Sequence, residues 1–180
     1  RKMPEDDGKA DDEKILIPVK YPETCDTLLN MAMLMRNEKL SRGLIALNVV
    51  YDDLDATYNQ QEGQRLLEQI EKKAAAADVQ VQTQVRLATN IANGIKHAFK
   101  EYDASEIILG QHIHDNSTRR FWGQFAQSLF NGLNRQIIIA RCTIPLNTIR
   151  VFHVAVPSRA EYEPGFYRWL ERVSRMVTRL

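Results

Sequence analysis

Apolar and polar positions fall into alternating blocks along this chain, and each block has a recognisable period. "ILIPV" is a short apolar run of strand length, and "TCDTLLNMAMLMRN" follows it with Leu28, Met31 and Met35 at helical spacing. "GLIALNVV" is a second strand run. "NQQEGQRLLEQIEKKAAAA" is rich in strong helix formers, and "VQVQTQV" alternates strictly, as a half-exposed strand does. "NIANGIKHAFKEY" then presents Ile91, Ile95, Ala98 and Phe99 as one helix face, "EIILG" is a fourth strand, "GQFAQSLFNGL" a helix and "QIIIAR" a fifth strand. Helices of this length between strands demand right-handed crossovers, so the pattern predicts a mostly parallel five-stranded sheet with helices on both faces. This doubly wound α/β domain is expected over residues 14–142.

The ends of the chain read differently. Residues 1–13, "RKMPEDDGKADDE", are almost wholly charged and carry no periodic apolar positions, so they read as a linker excised from something longer. Residues 143–180 contain "RVFHVAVPSRAEYEPGFYRWLERVSRMV", which restates "KILIPVKYPETCDTLLNMAMLM" as strand, proline-bearing loop and helix. A lone strand and helix cannot build their own core. They are expected either to pack on the first domain or to belong to a shortened second copy.

The last helix is amphipathic in an unusual way. Phe166, Trp169, Leu170, Val173, Val177 and Leu180 recur every three or four residues, while Arg168, Arg172, Arg175 and Arg179 line the other side. The plain expectation is a helix docked by its apolar face, with a solvated arginine stripe in which Glu171 bridges Arg168 and Arg175. The functional alternative is that the stripe meets anionic lipid headgroups or an acidic partner.

Composition narrows the function. A formal net charge of +1 gives no bulk attraction to nucleic acid. Two cysteines, Cys25 and Cys142, are too few for a disulfide framework and fit a reducing compartment. No apolar run approaches the roughly 20 residues that span a bilayer. No acid/base pair or nucleophile triad stands out, so the chain is not expected to be an enzyme. His112 and His114 form an HxH pair, but His97 and His153 fall in other predicted elements, and a solvated loop is expected rather than a metal site. Asp52, Asp53 and Asp55 lack the glycine and terminal glutamate of a calcium loop and read as a βα connection, with Asn59 as a candidate N-cap.

The chemistry is concentrated in "IILGQHIHDNSTRRFWGQFAQ". A buried strand runs into Gly110, a polar loop follows, and Gly123 opens a helix, which is how α/β proteins present backbone amides and a helix N-terminus to phosphate. With the five-unit order, "ILIPV", "IANGIKHAFKEYDASEIILG" and "IIIAR", the chain resembles the universal stress protein domain over nearly all of residues 14–142. More narrowly, "ILIPVKYPET", "ALNVV", "FWGQ" and "VAVPSRAEYEPGFYRWLER" resemble the cytosolic C-terminal region that follows the membrane part of bacterial sodium/proton antiporters.

The resemblance implies where a nucleotide would sit and also where the site has changed. Nucleotide-binding members carry Gly-x-x-Gly, nine residues, then Gly-Ser/Thr after the fourth strand, and an Asp at the end of the first. Here those positions are Gly110, Ile113, Gly123 and Gln124, with Lys20 in place of the Asp. Ile113 brings a β-branched side chain where bare backbone is wanted, and Gln124 replaces a compact hydroxyl. The residues expected to border the site are Lys20, Val50, Leu109, Gly110, His112, Ile113, Gly123 and Gln124. Lys20, His112, Arg119 and Arg120 would also suit a different anion. The resemblance thus implies a non-catalytic regulatory or assembly domain on the cytoplasmic face of the bacterial inner membrane, acting on the membrane portion of its own antiporter chain. No cofactor is expected. A homodimer through the fifth strand is, and weak binding of an adenine nucleotide, as in a free-standing stress protein, is the alternative.

Overall fold

The computed structural model describes residues 13–111, 125, 127–129, 131, 133 and 135–180. Of the charged opening segment only Glu13 is among them, and it begins the first strand rather than ending a linker. The regular elements are β1 (Glu13–Pro18), α1 (Pro22–Met35), β2 (Ser41–Tyr51), α2 (Ala56–Ala76), β3 (Val81–Ala88), α3 (Ile91–Glu101), β4 (Glu106–Gly110), β5 (Gln136–Ala140) and α4 (Phe166–Arg179). Phe125 and residues 127–129 are helical, inside the segment between β4 and β5 where a helix is expected.

The five strands are all parallel, in the order β3-β2-β1-β4-β5. β1 is central, and its Ile15, Leu16 and Ile17 are buried because strands flank both edges and helices cover both faces. That explains a continuous apolar run instead of an alternating one. Helices α1 and α2 pack on one face, over Ile15, Ile17, Leu44, Ala46 and Ile108. Helix α3 packs on the other, with Leu16, Ile45, Leu47, Ile107 and Leu109, joined by Leu129 and Leu133. β3 ends the sheet, and none of its residues is fully buried, as its alternating pattern predicts.

Local chemistry sets the element ends. Pro22 lies in the first turn of α1, where its missing N–H costs nothing. Asn90 caps α3, its side chain accepting from the amide of Asn93 at 3.0 Å. Asn59 does not cap α2, which starts three residues earlier. The Asp53 side chain accepts from the amide of Asp55 at 3.0 Å and its carbonyl from Ala56 at 3.1 Å, and this tight turn launches the helix sooner.

Residues 143–180 pack on the first domain. Leu146, Ile149, Phe152 and Met176 join the α1 side of the core. The helix of the predicted repeat forms, but its strand does not. Residues 150–156 have no strand pairing; Phe152 turns toward the core while Val151, Val154 and Val156 remain exposed.

Candidate functional site

The strand order reverses direction between β1 and β4, so their carboxyl ends border the crevice where doubly wound sheets take ligands. At the end of β1 the ladder continues one residue, Val19 donating its amide to Leu47 O at 2.8 Å. The Val19 carbonyl accepts from Nδ2 of Asn48, a buried side chain of β2, at 2.9 Å. Asn48 can lie there because Gly63 of α2 has no side chain; a Cβ at that position would stand 2.4 Å from Asn48 Oδ1. Beyond this clamp Lys20 is exposed, its Nζ 5.4 Å from the centroid of the Tyr21 ring. A cation thus stands at the rim, and the carbonyl of Val19 before it is already used.

On the β4 side, Gly110 pairs with Ala140, and Gln111 donates to the Ala140 carbonyl at 2.8 Å. Gly110 also has a packing role, since a Cβ there would approach Leu28 to 3.1 Å. Of the predicted border residues, the structure therefore puts Lys20 and Gly110 at the crevice. Val50 and Leu109 are buried, Leu109 within the α3 side of the core. His112, Ile113, Gly123 and Gln124 lie outside the described residues, as do His114, Arg119 and Arg120.

Cys25, in the first turns of α1, donates its thiol to Tyr21 O at 3.0 Å and is pushed up to about 12. Burial is the main cause, followed by the charges of Asp26 and Glu23, with Lys73 opposing them. It stays a thiol at neutral pH and is no nucleophile. Among the described residues no group of three or more His, Cys, Asp or Glu side chains could hold a metal ion.

A second polar centre sits at the opposite, amino end of the same strands, and sequence reasoning missed it. Glu13 of β1 and Glu106 of β4 are 4% and 0% exposed, and Arg172 of α4, at 4%, lies between them. Arg172 pairs with Glu106, and its guanidinium stands 3.5 Å from the Glu13 carboxylate. The Asn37 amide donates to Glu13 at 2.8 Å. Burial first, then the charge of Glu106, pushes the Glu13 carboxyl up, against the Asn37 hydrogen bond and the charges of Arg172 and Arg175. Arg175 donates through Nε to Met35 O at 2.9 Å and stands 3.5 Å from Glu171. Arg179 donates to the carbonyls of Leu34 and Arg36 at 3.1 and 2.9 Å, satisfying the open C-terminal end of α1.

The arginine stripe is therefore not solvated as expected. Arg172 is buried and Arg175 half-buried, Arg179 is exposed but bonds the end of α1, Arg168 is half-buried like Phe166, Trp169 and Val173, and Tyr167, Leu170, Val177 and Leu180 are exposed. Two buried carboxylates in the body of the domain attract the basic face more strongly than the core attracts the apolar one. The available signal was a glutamate just before the apolar run of two strands, in "DEKILIP" and "SEIILG".

Comparison with known proteins agrees with this architecture. The model of the Universal stress protein family matches residues 13–141. A universal stress protein family structure from Burkholderia pseudomallei aligns with a TM-score of 0.57 at 18% identity, covering 74% of this chain and 98% of that one. One from Archaeoglobus fulgidus gives 0.54 at 13% identity, covering 71% and 92%. A universal stress protein in complex with cAMP gives 0.54 at 10% identity, covering 72% and 96%. At these identities the likeness is one of fold. No curated protein sequence matches the chain.

Proposed function

The chain belongs to the universal stress protein family, and from that premise we propose that it is a non-catalytic regulatory and assembly domain of a bacterial cation/proton antiporter, with a nucleotide loop too altered to hold ATP tightly. The observation that carries the reading is the end of β1. Nucleotide-binding relatives present an acid there, whereas this chain presents exposed Lys20, with the adjacent Val19 carbonyl already bonded to Asn48. In the sequence, Ile113 and Gln124 remove a bare backbone and a small hydroxyl from the phosphate loop. Losing two or three hydrogen bonds to a charged ligand, each worth about 1.5–3 kcal/mol, lowers affinity roughly a hundredfold or more.

The antiporter assignment is supported by the resemblance of "ILIPVKYPET" and "VAVPSRAEYEPGFYRWLER" to the cytosolic region of such transporters. No helix of the described residues is long and apolar enough to cross a membrane, so the chain would act on a membrane portion from outside the bilayer. β5 ends the sheet with Ile139 exposed, an edge that favours pairing with a second copy.

A second reading, nucleotide binding, is favoured by the relative solved with cAMP and by exposed Lys20 at the crevice rim. Calorimetry with ATP, ADP, AMP and cAMP separates the two. We expect no saturation below about 1 mM; micromolar affinity for any of them establishes the second reading instead. The antiporter half is tested in vesicles holding a transporter that contains this region. Deleting residues 13–180 should change its rate or pH profile, and unchanged exchange overturns the assignment.

A further inference from the structure

Helix α4 is docked through its basic side, and this leaves an apolar row in solvent. Tyr167, Leu170, Ser174 and Val177 stand at i, i+3, i+7 and i+10, on one side of the helix, and all four are exposed. When the two halves of the sequence repeat are set together on Pro22 and Pro164, these positions coincide with Cys25, Leu28, Ala32 and Met35 of α1, every one of them buried. The spacing that lays α1 on its sheet is thus presented outward by α4. We propose that this face is an interaction surface for a second copy of the chain, the two α4 helices packing antiparallel about a two-fold axis beside Ser174.

Charge, shape and area each select a second copy as the occupant. Arg172, Arg175 and Arg179 are engaged with Glu13, Glu106 and the end of α1, so the cations that would meet lipid phosphates are bonded to the domain itself. A two-fold contact asks only that the face match itself. With the axis between Val173 and Ser174, Glu171 of one copy and Arg175 of the other lie at nearly the same height, about 1.5 Å apart along the helix axis. Opposite charges therefore face each other twice across the pair. The same register sets Leu170 opposite Val177 and Tyr167 opposite Leu180, while the small side chain of Ser174 at the axis lets the helices approach.

The area is that of a stable contact. Tyr162, on a 3-10 turn (Ala160–Tyr162) that touches α4, is 70% exposed, and Tyr167 is 61% exposed. Together with Leu170, Val177 and Leu180 they leave roughly 500 Å² of side chain in water, about three-fifths of the roughly 800 Å² that each partner gives to a standard interface. Three-fifths is also the apolar share of such interfaces. The face is distinct from the β5 edge. β5 meets α4 at Gly165, whose carbonyl accepts from Gln136 Nε2 at 2.8 Å, and Leu170, Ser174 and Val177 lie farther along the helix.

The contact can be read on this 180-residue chain, independently of any transporter. In a Cys142→Ser background, Ser174→Cys should form an interchain disulfide when diamide takes up the two thiol hydrogens. Glu163→Cys, exposed but far from the axis, should not. In sedimentation, Leu170→Gln with Val177→Gln, both at exposed positions, should raise the dissociation constant about tenfold or more while leaving the thermal midpoint unchanged. Equal cross-linking at the two positions, or an unchanged dissociation constant in the double variant, overturns the proposal. So does an assembly that Ile139→Lys abolishes and the double variant keeps, because the β5 edge alone then joins the copies. A chain that stays monomeric at about 100 μM overturns it as well, and if that monomer binds phosphatidylserine vesicles the face belongs to lipid.

Discussion

Replacing Arg172 by methionine tests whether the amino-end cluster holds the molecule together. Methionine keeps most of the side-chain volume and adapts to irregular space, so the packing loss is small. What goes is the only fully buried cation described next to Glu13 and Glu106, which are 4% and 0% exposed. Removing one partner of a buried pair costs about 3–5 kcal/mol, because the remaining charge is left in low dielectric. The hydrogen bond from Arg172 Nη1 to Arg168 O, at 2.8 Å, adds little, since it lies within the same helix. Against a typical stability of 5–15 kcal/mol the predicted loss is severe. With a urea slope of about 2 kcal/mol/M, the unfolding midpoint at pH 7 should fall by roughly 2 M. Acidification should shrink the deficit. Burial and the charge of Glu106 raise the Glu13 carboxyl, so its protonated form favours the folded state and its ionisation opposes it as pH rises. The triple variant Glu13→Gln, Glu106→Gln, Arg172→Met should return to near the parent midpoint, because no buried charge is then left alone. A loss below about 1 kcal/mol for Arg172→Met, the scale of an exposed ion pair, would refute the reasoning and mean that water reaches the cluster.

Two further outcomes follow from the α1 and α2 side of the domain. Gly63→Ala, which would raise helix propensity at an open site, should instead lower the thermal midpoint, because its Cβ would meet Asn48 Oδ1 at 2.4 Å and disturb the bond to Val19 O; a stabilised variant would contradict the clamp. With a thiol reagent at pH 8, half-buried Cys142 should react well before Cys25, whose thiol is buried and pushed up to about 12; equal rates in the folded chain would contradict that placement.

How much of this was legible in the sequence depended on whether one period or one partner decided the outcome. β1, β2 and β4 were readable because a strand buried on both faces has to be apolar at every position, and 15–17, 44–47 and 107–109 are. The crossover helices were readable from spacing, whereas the Asn90 cap of α3 was not singled out. The strand expected at 150–156 was not borne out, although "VFHVAVP" has the composition of one. A strand needs a neighbour to bond, and these residues have no strand pairing, so Phe152 packs inward alone. At the crevice, Lys20 and Gly110 lie at the ends of β1 and β4, where the sequence reading set them, but the Asn48 clamp was not foreseen. Its meaning depends on Gly63, fifteen positions away and on another element.

The orientation of α4 shows most clearly what periodicity cannot decide. Its residues divide into an apolar side and a basic side, and hydrophobic transfer alone favours burying the apolar side, at about 25 cal/mol for each Å² removed from water. That accounting assumes that the receiving surface is itself apolar. Here the surface holds Glu13, Glu106 and the open carbonyls of Leu34, Met35 and Arg36, none of which is stable against valine or leucine. The arginines pair with both carboxylates and hydrogen-bond those carbonyls, and Met176 is the buried apolar residue of α4. Exposing Tyr167, Leu170 and Val177 to solvent costs a few kcal/mol; leaving two buried carboxylates and a helix end unpaired would cost more. The two faces of an amphipathic helix are therefore ranked by what waits across the interface, and for this helix that was written at the start of β1 and β4.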